Sequence, residues 1–228
     1  MTNSLLDNIA WNTLHGHHVQ YSAGTAQARR YARGFSPIIA FPDAESPDFR
    51  ALSDFCGPDE HFYLEGWTGD PPAGWHVDAE STMVKMVWAG DTPMTEGAED
   101  ATPLRIGHVD QALQLTALTR PGPFGPRNIE LGTFLGHFDG DRLVAMAGER
   151  MFAGSFREVS GVCTHPDFQG LGLARKLVMT LVRQQLRRGE TPFLHVMSEN
   201  GGARSLYERM GFRHHRQTVV RIVSTTQA

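Results

Sequence analysis

Apolar and polar positions along this chain follow two periods. From Leu173 to Arg188 the apolar residues recur as Leu173/Ala174, Leu177/Val178, Leu181/Val182 and Leu186, while Arg175, Lys176, Arg183, Arg187 and Arg188 stand off that stripe. A spacing of three to four residues gives a helix one apolar face, and Gly189 closes it. Elsewhere, short apolar runs bounded by Gly, Pro and Asp predict strands over Pro37–Phe41, His61–Trp67, Thr82–Trp88, Leu104–Ile106, Glu158–Thr164, Pro192–Met197 and Arg216–Val223. Gly132–Phe138 and Arg142–Met151 flank Asp139-Gly140, a pair suited to a tight hairpin turn with positive φ. Helices are predicted over Asp48–Phe55, over Asp110–Thr119 with Asp110 as N-cap, and over Gly202–Met210, stopped by Gly211. Arg120–Pro126 is too rich in proline for a helix and has to be a loop.

The order β-α-β-β occurs on both sides of Ala89–Pro103, a stretch with four acids, two prolines and no basic residue that reads as an exposed linker. The expected class is therefore α/β, a mixed central sheet flanked by helices. A C-terminal domain at 101–228 follows a smaller N-terminal domain at 1–100, which reads as a degenerate copy of the same unit.

Composition changes this picture little. With 228 residues, 40% of them hydrophobic and 20% charged, the chain can bury a full core. No apolar run reaches the length of a membrane span, and residues 1–20 lack the pattern of a signal peptide, so a cytoplasmic protein is expected. Cys56 and Cys163 belong to no ligand-spaced set, and His15, His17 and His18 read as a surface cluster, so neither disulfide nor metal is expected. Charge is divided unevenly: residues 1–100 hold 5 Lys/Arg against 15 Asp/Glu, and residues 101–228 hold 16 against 10. A polyanionic ligand suits the second half, while the acidic total argues against general nucleic-acid binding.

The candidate chemistry lies in Val162–Lys176, a strand, a Gly-rich turn and a helix start. Unpaired N–H groups at such a start face outward and favour an anion. A P-loop needs Gly-Lys-Ser/Thr after its spacer, which Leu173-Ala174-Arg175 does not supply, and a dinucleotide fingerprint needs a third Gly where Arg175 stands. The spacing of Gln169, Gly172 and Ala174 instead resembles the acyl-CoA pyrophosphate loop of the GNAT superfamily of N-acyltransferases. Val162-Cys-Thr-His-Pro166 before it, Asn200 after the next strand, and Ala203–Phe212 agree in order. The resemblance covers roughly residues 104–223, and the subgroup it looks most like is the glycine N-acyltransferase type.

The resemblance implies a GNAT-type C-terminal domain and a set of roles. Gln169, Gly170, Leu171, Gly172, Leu173 and Ala174 would form the pyrophosphate loop, with Arg175 or Lys176 near a further phosphate. Main-chain groups of Val162, Cys163 and Thr164, with Asn200, would line the pantetheine arm, and the Val162 N–H would face the developing oxyanion. Tyr207 falls at the family's general-acid position, although it also shares an apolar face with Ala203, Leu206 and Met210. Glu158 has the strand parity of Val162 and Thr164, which puts it on the ligand side unless a bulge at Gly161 reverses the alternation. It is the first candidate for the base and Glu149 the second. Cys163 has the opposite parity and is expected to pack, with no covalent intermediate.

The expected function is N-acyl transfer, with acetyl-CoA or another acyl-CoA as co-substrate, to the amine of a small molecule or peptide by direct attack. The rival reading is a non-catalytic acyl-CoA-binding regulatory module. A homodimer is compatible with the sequence; no nucleic acid, membrane or metal partner is expected. Loop Arg120–Pro126 and the acidic first half would shape the acceptor site, an acidic wall suiting a cationic amine.

Overall fold

The computed structural model describes residues 4–58, 60–93, 97–98 and 100–225. In chain order the elements are α1 (Ser4–Asp7), α2 (Ile9–His15), β1 (Ser22–Gly24), β2 (Arg29–Tyr31), β3 (Ile39–Ala40), β4 (His61–Glu65), β5 (Trp75–Trp88) and β6 (Thr102–Pro103). There follow α3 (Val109–Thr119), β7 (Phe134–Asp139), β8 (Arg142–Ala153), β9 (Phe156–Thr164), α4 (Leu173–Arg187), β10 (Thr191–Met197), α5 (Gly201–Met210) and β11 (Phe212–Thr225). Strands β1–β3 make a small sheet, and the other eight form one mixed sheet in the order β4-β11-β5-β10-β9-β8-β7-β6.

The expected boundary near residue 100 falls between strands of this one sheet. β5 lies between β10 and β11, and β11 lies between β5 and β4. The repeated β-α-β-β order is not a repeated topology, because β7 and β8 pair directly as a hairpin whereas β11 separates β4 from β5. Of the stretch read as a linker, Ala98 is buried in the main core, and its N–H donates to Thr180 Oγ1 on α4 at 2.8 Å. The segment is thus held against the helix there.

Helix α4 packs on one face of the sheet through Leu177, Val178, Leu181 and Val182, all almost wholly buried. Each such side chain contributes roughly 1.5–3 kcal/mol on leaving water. Helix α3 covers the opposite face through Ala112 and Leu115, against Met146 and Cys163. Its N-cap is His108, not Asp110, which lies in the first turn.

Other departures are local. Asp48–Phe55 is a 3₁₀ helix over Phe49–Phe55, with the Asp48 carboxylate accepting from the Ala51 N–H. Leu104–Ile106 is no strand: the paired residues are Thr102 and Pro103, and Leu104 is buried by α3 instead. Asp139 pairs with Arg142, so the hairpin turns on Gly140-Asp141, one residue later than expected. Within the histidine cluster, His18 is buried and its Nδ1 lies 2.9 Å from the Tyr31 hydroxyl; His15 and His17 are exposed.

Candidate active site

Strands β9 and β10 run parallel and pair only from Thr191↔Phe156 to Phe193↔Glu158. Beyond that point they part, and a cleft of about 560 Å³ opens between them. Glu158, Val162, Cys163, Thr164, Gln169, Asn200 and Tyr207 all line it, so one cavity gathers most of the residues singled out in the sequence. Arg120 to Phe124 form part of its wall, as do Glu65 and Glu80 from the first hundred residues. Glu80 accepts from Arg221 and Glu65 pairs with Lys85, so the acidic wall is largely neutralised.

Gly161 decides how β9 meets the cleft. Its φ is +63°, and opposite Met146–Gly148 the strand carries one residue more than β8: Met146 pairs with Cys163 and Gly148 with Ser160. This is a bulge, and it reverses the alternation. Residues directly opposite in a ladder share a face, so Glu158, Ser160 and Cys163 lie with Met146 on the α3 side, while Val162 and Thr164 lie with Val159 on the α4 side. Glu158 and Val162 therefore do not share a face, contrary to the simple parity.

Edge directions follow from one bond. The His165 N–H donates to the Val144 carbonyl of β8, so main-chain groups of Thr164 and Val162 point to the other edge, where β10 has diverged. Cys163 turns its main chain toward β8, which removes it from the expected main-chain set. Its thiol packs beside Met146, and burial pushes it up to about 11. The Thr164 hydroxyl is buried and, among the described residues, has no hydrogen-bond partner, as a group awaiting a ligand would be.

The turn after Gln169 has the form expected. Gly170 (φ +79°) and Gly172 (φ +75°) are left-handed, and among the described residues a Cβ on either would meet no atom within 4 Å. Gly172 is the N-cap of α4. The first-turn N–H groups of Leu173 and Ala174 have no acceptor within the helix. Leu171 projects outward, 62% exposed.

Tyr207 is both core and cleft. It packs edge-on to Phe212 within the main core and lines the cleft beside Ala203 and Asn200. Burial, with a smaller effect from nearby Cys163, pushes its hydroxyl up to about 12. Asn200 caps α5, its side-chain oxygen accepting from the Ala203 N–H at 3.0 Å, so the cap reading holds together with the cleft position.

Neither carboxylate proposed as base is free to act as one. Burial would raise the Glu158 carboxyl, but the Arg150 charge and hydrogen bonds from His195 and Arg150 outweigh it and hold the group well below the carboxylate range. Arg150 binds it twice, at 2.9 and 2.8 Å, and the Met151 N–H and His195 complete its shell. Glu149 faces α4, accepting from Gln185, Arg188 and the Thr133 N–H. His195, absent from the sequence-based set, lies against Glu158 and lines the cleft. A lone polar residue inside the apolar run Pro192–Met197 was its one signal. Among the described residues no group of three or more His, Cys, Asp or Glu could hold a metal, and no helix is long and apolar enough to cross a membrane.

The family described as FR47-like protein matches residues 134–221, which span β7 to most of β11. A GNAT-family protein from Novosphingobium aromaticivorans is 31% identical, over 97% of this chain and 99% of that one, with a TM-score of 0.88. A GCN5-related N-acetyltransferase from Kribbella flavida shares the fold at 14% identity, over 99% of this chain and 95% of that one, with a TM-score of 0.58. A similar protein from Streptococcus suis, also 14% identical, covers 96% and 92% with a TM-score of 0.53. A search of curated proteins gives no match.

Proposed function

We propose, from the premise that this chain belongs to the GNAT family of acyl-CoA-dependent N-acyltransferases, that it moves an acetyl group from acetyl-CoA to a primary amine by direct attack. The observation that carries this reading is the parting of β9 and β10 beyond Glu158 and Phe193. It exposes the Val162 and Thr164 main chain along one side of a cleft whose lining reaches Gln169, at the start of the glycine turn.

An acyl-CoA would place its pyrophosphate over Gly170 to Ala174 and Arg175, where the α4 N-terminus favours negative charge and the glycines let it approach. Its pantetheine arm would add to the open edge of β9 as a strand adds to a sheet. The Val162 N–H would then stabilise the oxyanion formed at the thioester carbon. Tyr207 differs from the sequence-based expectation. With its hydroxyl at about 12, full transfer of its proton to a thiolate of ~8.5 is uphill by about 5 kcal/mol. Its role in this reading is a hydrogen-bond donor to the departing sulfur, and a relay only when a second proton arrives.

Cys163 plays no covalent part, being buried and packed on the α3 side. The first hundred residues complete the sheet and supply acceptor wall through Glu65, Glu80 and Met83. The order of the Gln169–Ala174 turn, Asn200 and Ala203–Phe212 supports placement near the glycine N-acyltransferase type, with a small-molecule or peptide amine as acceptor. The experiment is thiol release from acetyl-CoA and longer acyl-CoAs against amino acids, polyamines and short peptides. Turnover with at least one amine is expected, fastest with acetyl-CoA. Tight acyl-CoA binding without thiol release from any pairing would instead favour a non-catalytic binding module.

A further inference from the structure

Resting on the acyl-transfer reading, we infer that His195 is the base that takes the proton from the acceptor amine, and that Glu158 positions it. His195 stands on β10 two residues beyond the last β9–β10 pair, where the strands have begun to diverge. Its Nδ1 is 2.7 Å from Glu158 Oε1. Glu158 is paired with the Arg150 guanidinium and can only accept, so Nδ1 carries the hydrogen. The lone pair of the neutral ring is then on Nε2. That nitrogen is buried and, among the described residues, has no hydrogen-bond partner, and the ring lines the cleft. A buried polar atom left unpaired is destabilising, a cost commonly tolerated where a ligand or a proton is to be received.

The surrounding charges are arranged around this ring. Glu65 on β4 turns Oε2 toward Nε2 at 3.8 Å, its Oε1 being held by Lys85 and Thr218 at 3.0 Å each. Lys85 is the residue opposite His195 in the β5–β10 ladder. Two carboxylates, Glu158 and Glu65, thus face two cations, Arg150 and Lys85, and each carboxylate is tied to its own cation. Of this set, His195 contributes through Nε2 a fully buried atom that has no hydrogen-bond partner among the described residues.

The reaction balances with this assignment. A substrate ammonium gives one proton to Nε2, and the freed nitrogen pair attacks the thioester carbon, forming C–N. As C–S breaks, its electron pair goes to sulfur. The second nitrogen-borne proton reaches that sulfur through the Tyr207 hydroxyl, which gives one proton and takes one. The imidazolium releases the net proton to solvent.

The test follows thiol release from acetyl-CoA with the most active amine of the panel. His195→Gln should lower kcat by about 10²–10⁴-fold, remove the acidic limb of the kcat/KM pH profile, and leave acetyl-CoA affinity and the unfolding midpoint near wild type. Glu158→Gln should shift that limb to lower pH, because the charge that favours the protonated ring is gone. A His195→Gln enzyme within threefold of wild type overturns the assignment, as does one that loses kcat while keeping the acidic limb. If His195→Gln does not fold, the limb in Glu158→Gln decides, and a limb that stays put overturns it. Absence of thiol release by the wild type with every amine would instead overturn the acyl-transfer reading itself.

Discussion

Glu158 and Val162 are four residues apart on one strand yet face opposite sides of the sheet, because Gly161 between them carries a φ of +63° and adds a residue to the ladder. Replacing that glycine tests the arrangement directly. An alanine there adopts a left-handed backbone at roughly 1–2 kcal/mol, and its Cβ comes to 3.3 Å from the Phe134 ring. Gly161→Ala should lower the unfolding free energy from denaturant titration by that amount, and kcat/KM should fall by more than the stability loss explains. A variant with wild-type kinetics would show that the bulge has no part in presenting β9.

Gly170 and Gly172 differ from Gly161 in having, among the described residues, no atom within 4 Å of where a Cβ would stand. Gly172→Val should therefore cost little beyond the backbone strain of about 1–2 kcal/mol, yet raise KM for acetyl-CoA by about tenfold or more, since a branched side chain would stand where the pyrophosphate has to approach. Steady-state kinetics in both substrates separates the effects: KM for the amine should move little.

Tyr207→Phe keeps the packing on Phe212 and removes the hydroxyl. The expected result is a fall in kcat of about 10- to 100-fold with little change in acetyl-CoA affinity. Burial has raised the hydroxyl to about 12, so a basic limb below about pH 11 in the wild type should survive in the variant. Loss of such a limb in Tyr207→Phe would count against this placement.

His18 predicts an acid-sensitive element of stability. Burial, aided by the charges of Arg157 and His17, lowers it to about 4, below the ordinary value of about 6.5. The folded state then holds fewer protons than the unfolded one between these values. The stability is present above about 6.5 and is lost as pH falls through about 4, amounting to roughly 3 kcal/mol. Urea denaturation across that range should show the loss, and His18→Asn should flatten it.

Thr180 accepts the Ala98 N–H at 2.8 Å across a buried contact. Thr180→Val is close to isosteric and leaves that donor without a partner, for about 1–3 kcal/mol. Thermal unfolding and limited proteolysis should report the change together, with faster cleavage in the 89–103 stretch.

What the sequence revealed here was what is local. The α4 stripe, the glycine turn and the β7–β8 hairpin are each specified by residues within a few positions of one another, and they stand where their pattern puts them, the hairpin turn to within one residue. The first half of β5 was missed because His76, Asp78 and Glu80 are exposed and break the apolar run. Their pairing comes from β11, more than a hundred residues away. Glu158 was legible as a residue of the cleft but not in its orientation, which depends on a bulge that reads equally well as a packing glycine. His195 was illegible because its meaning lies wholly in Glu158 and Glu65, contributed by two other strands.

The position of β11 between β4 and β5 also bears on the order in which the protein can assemble. β4 and β5 leave the ribosome early, but the strand that both flank is made only after residue 211. During synthesis two edges rich in unpaired backbone groups must wait for a partner that arrives late. Such waiting edges invite pairing with other chains. Slow translation or excision of residues 212–225 should therefore yield aggregates rather than a stable N-terminal fragment, visible by sedimentation of ribosome-released intermediates.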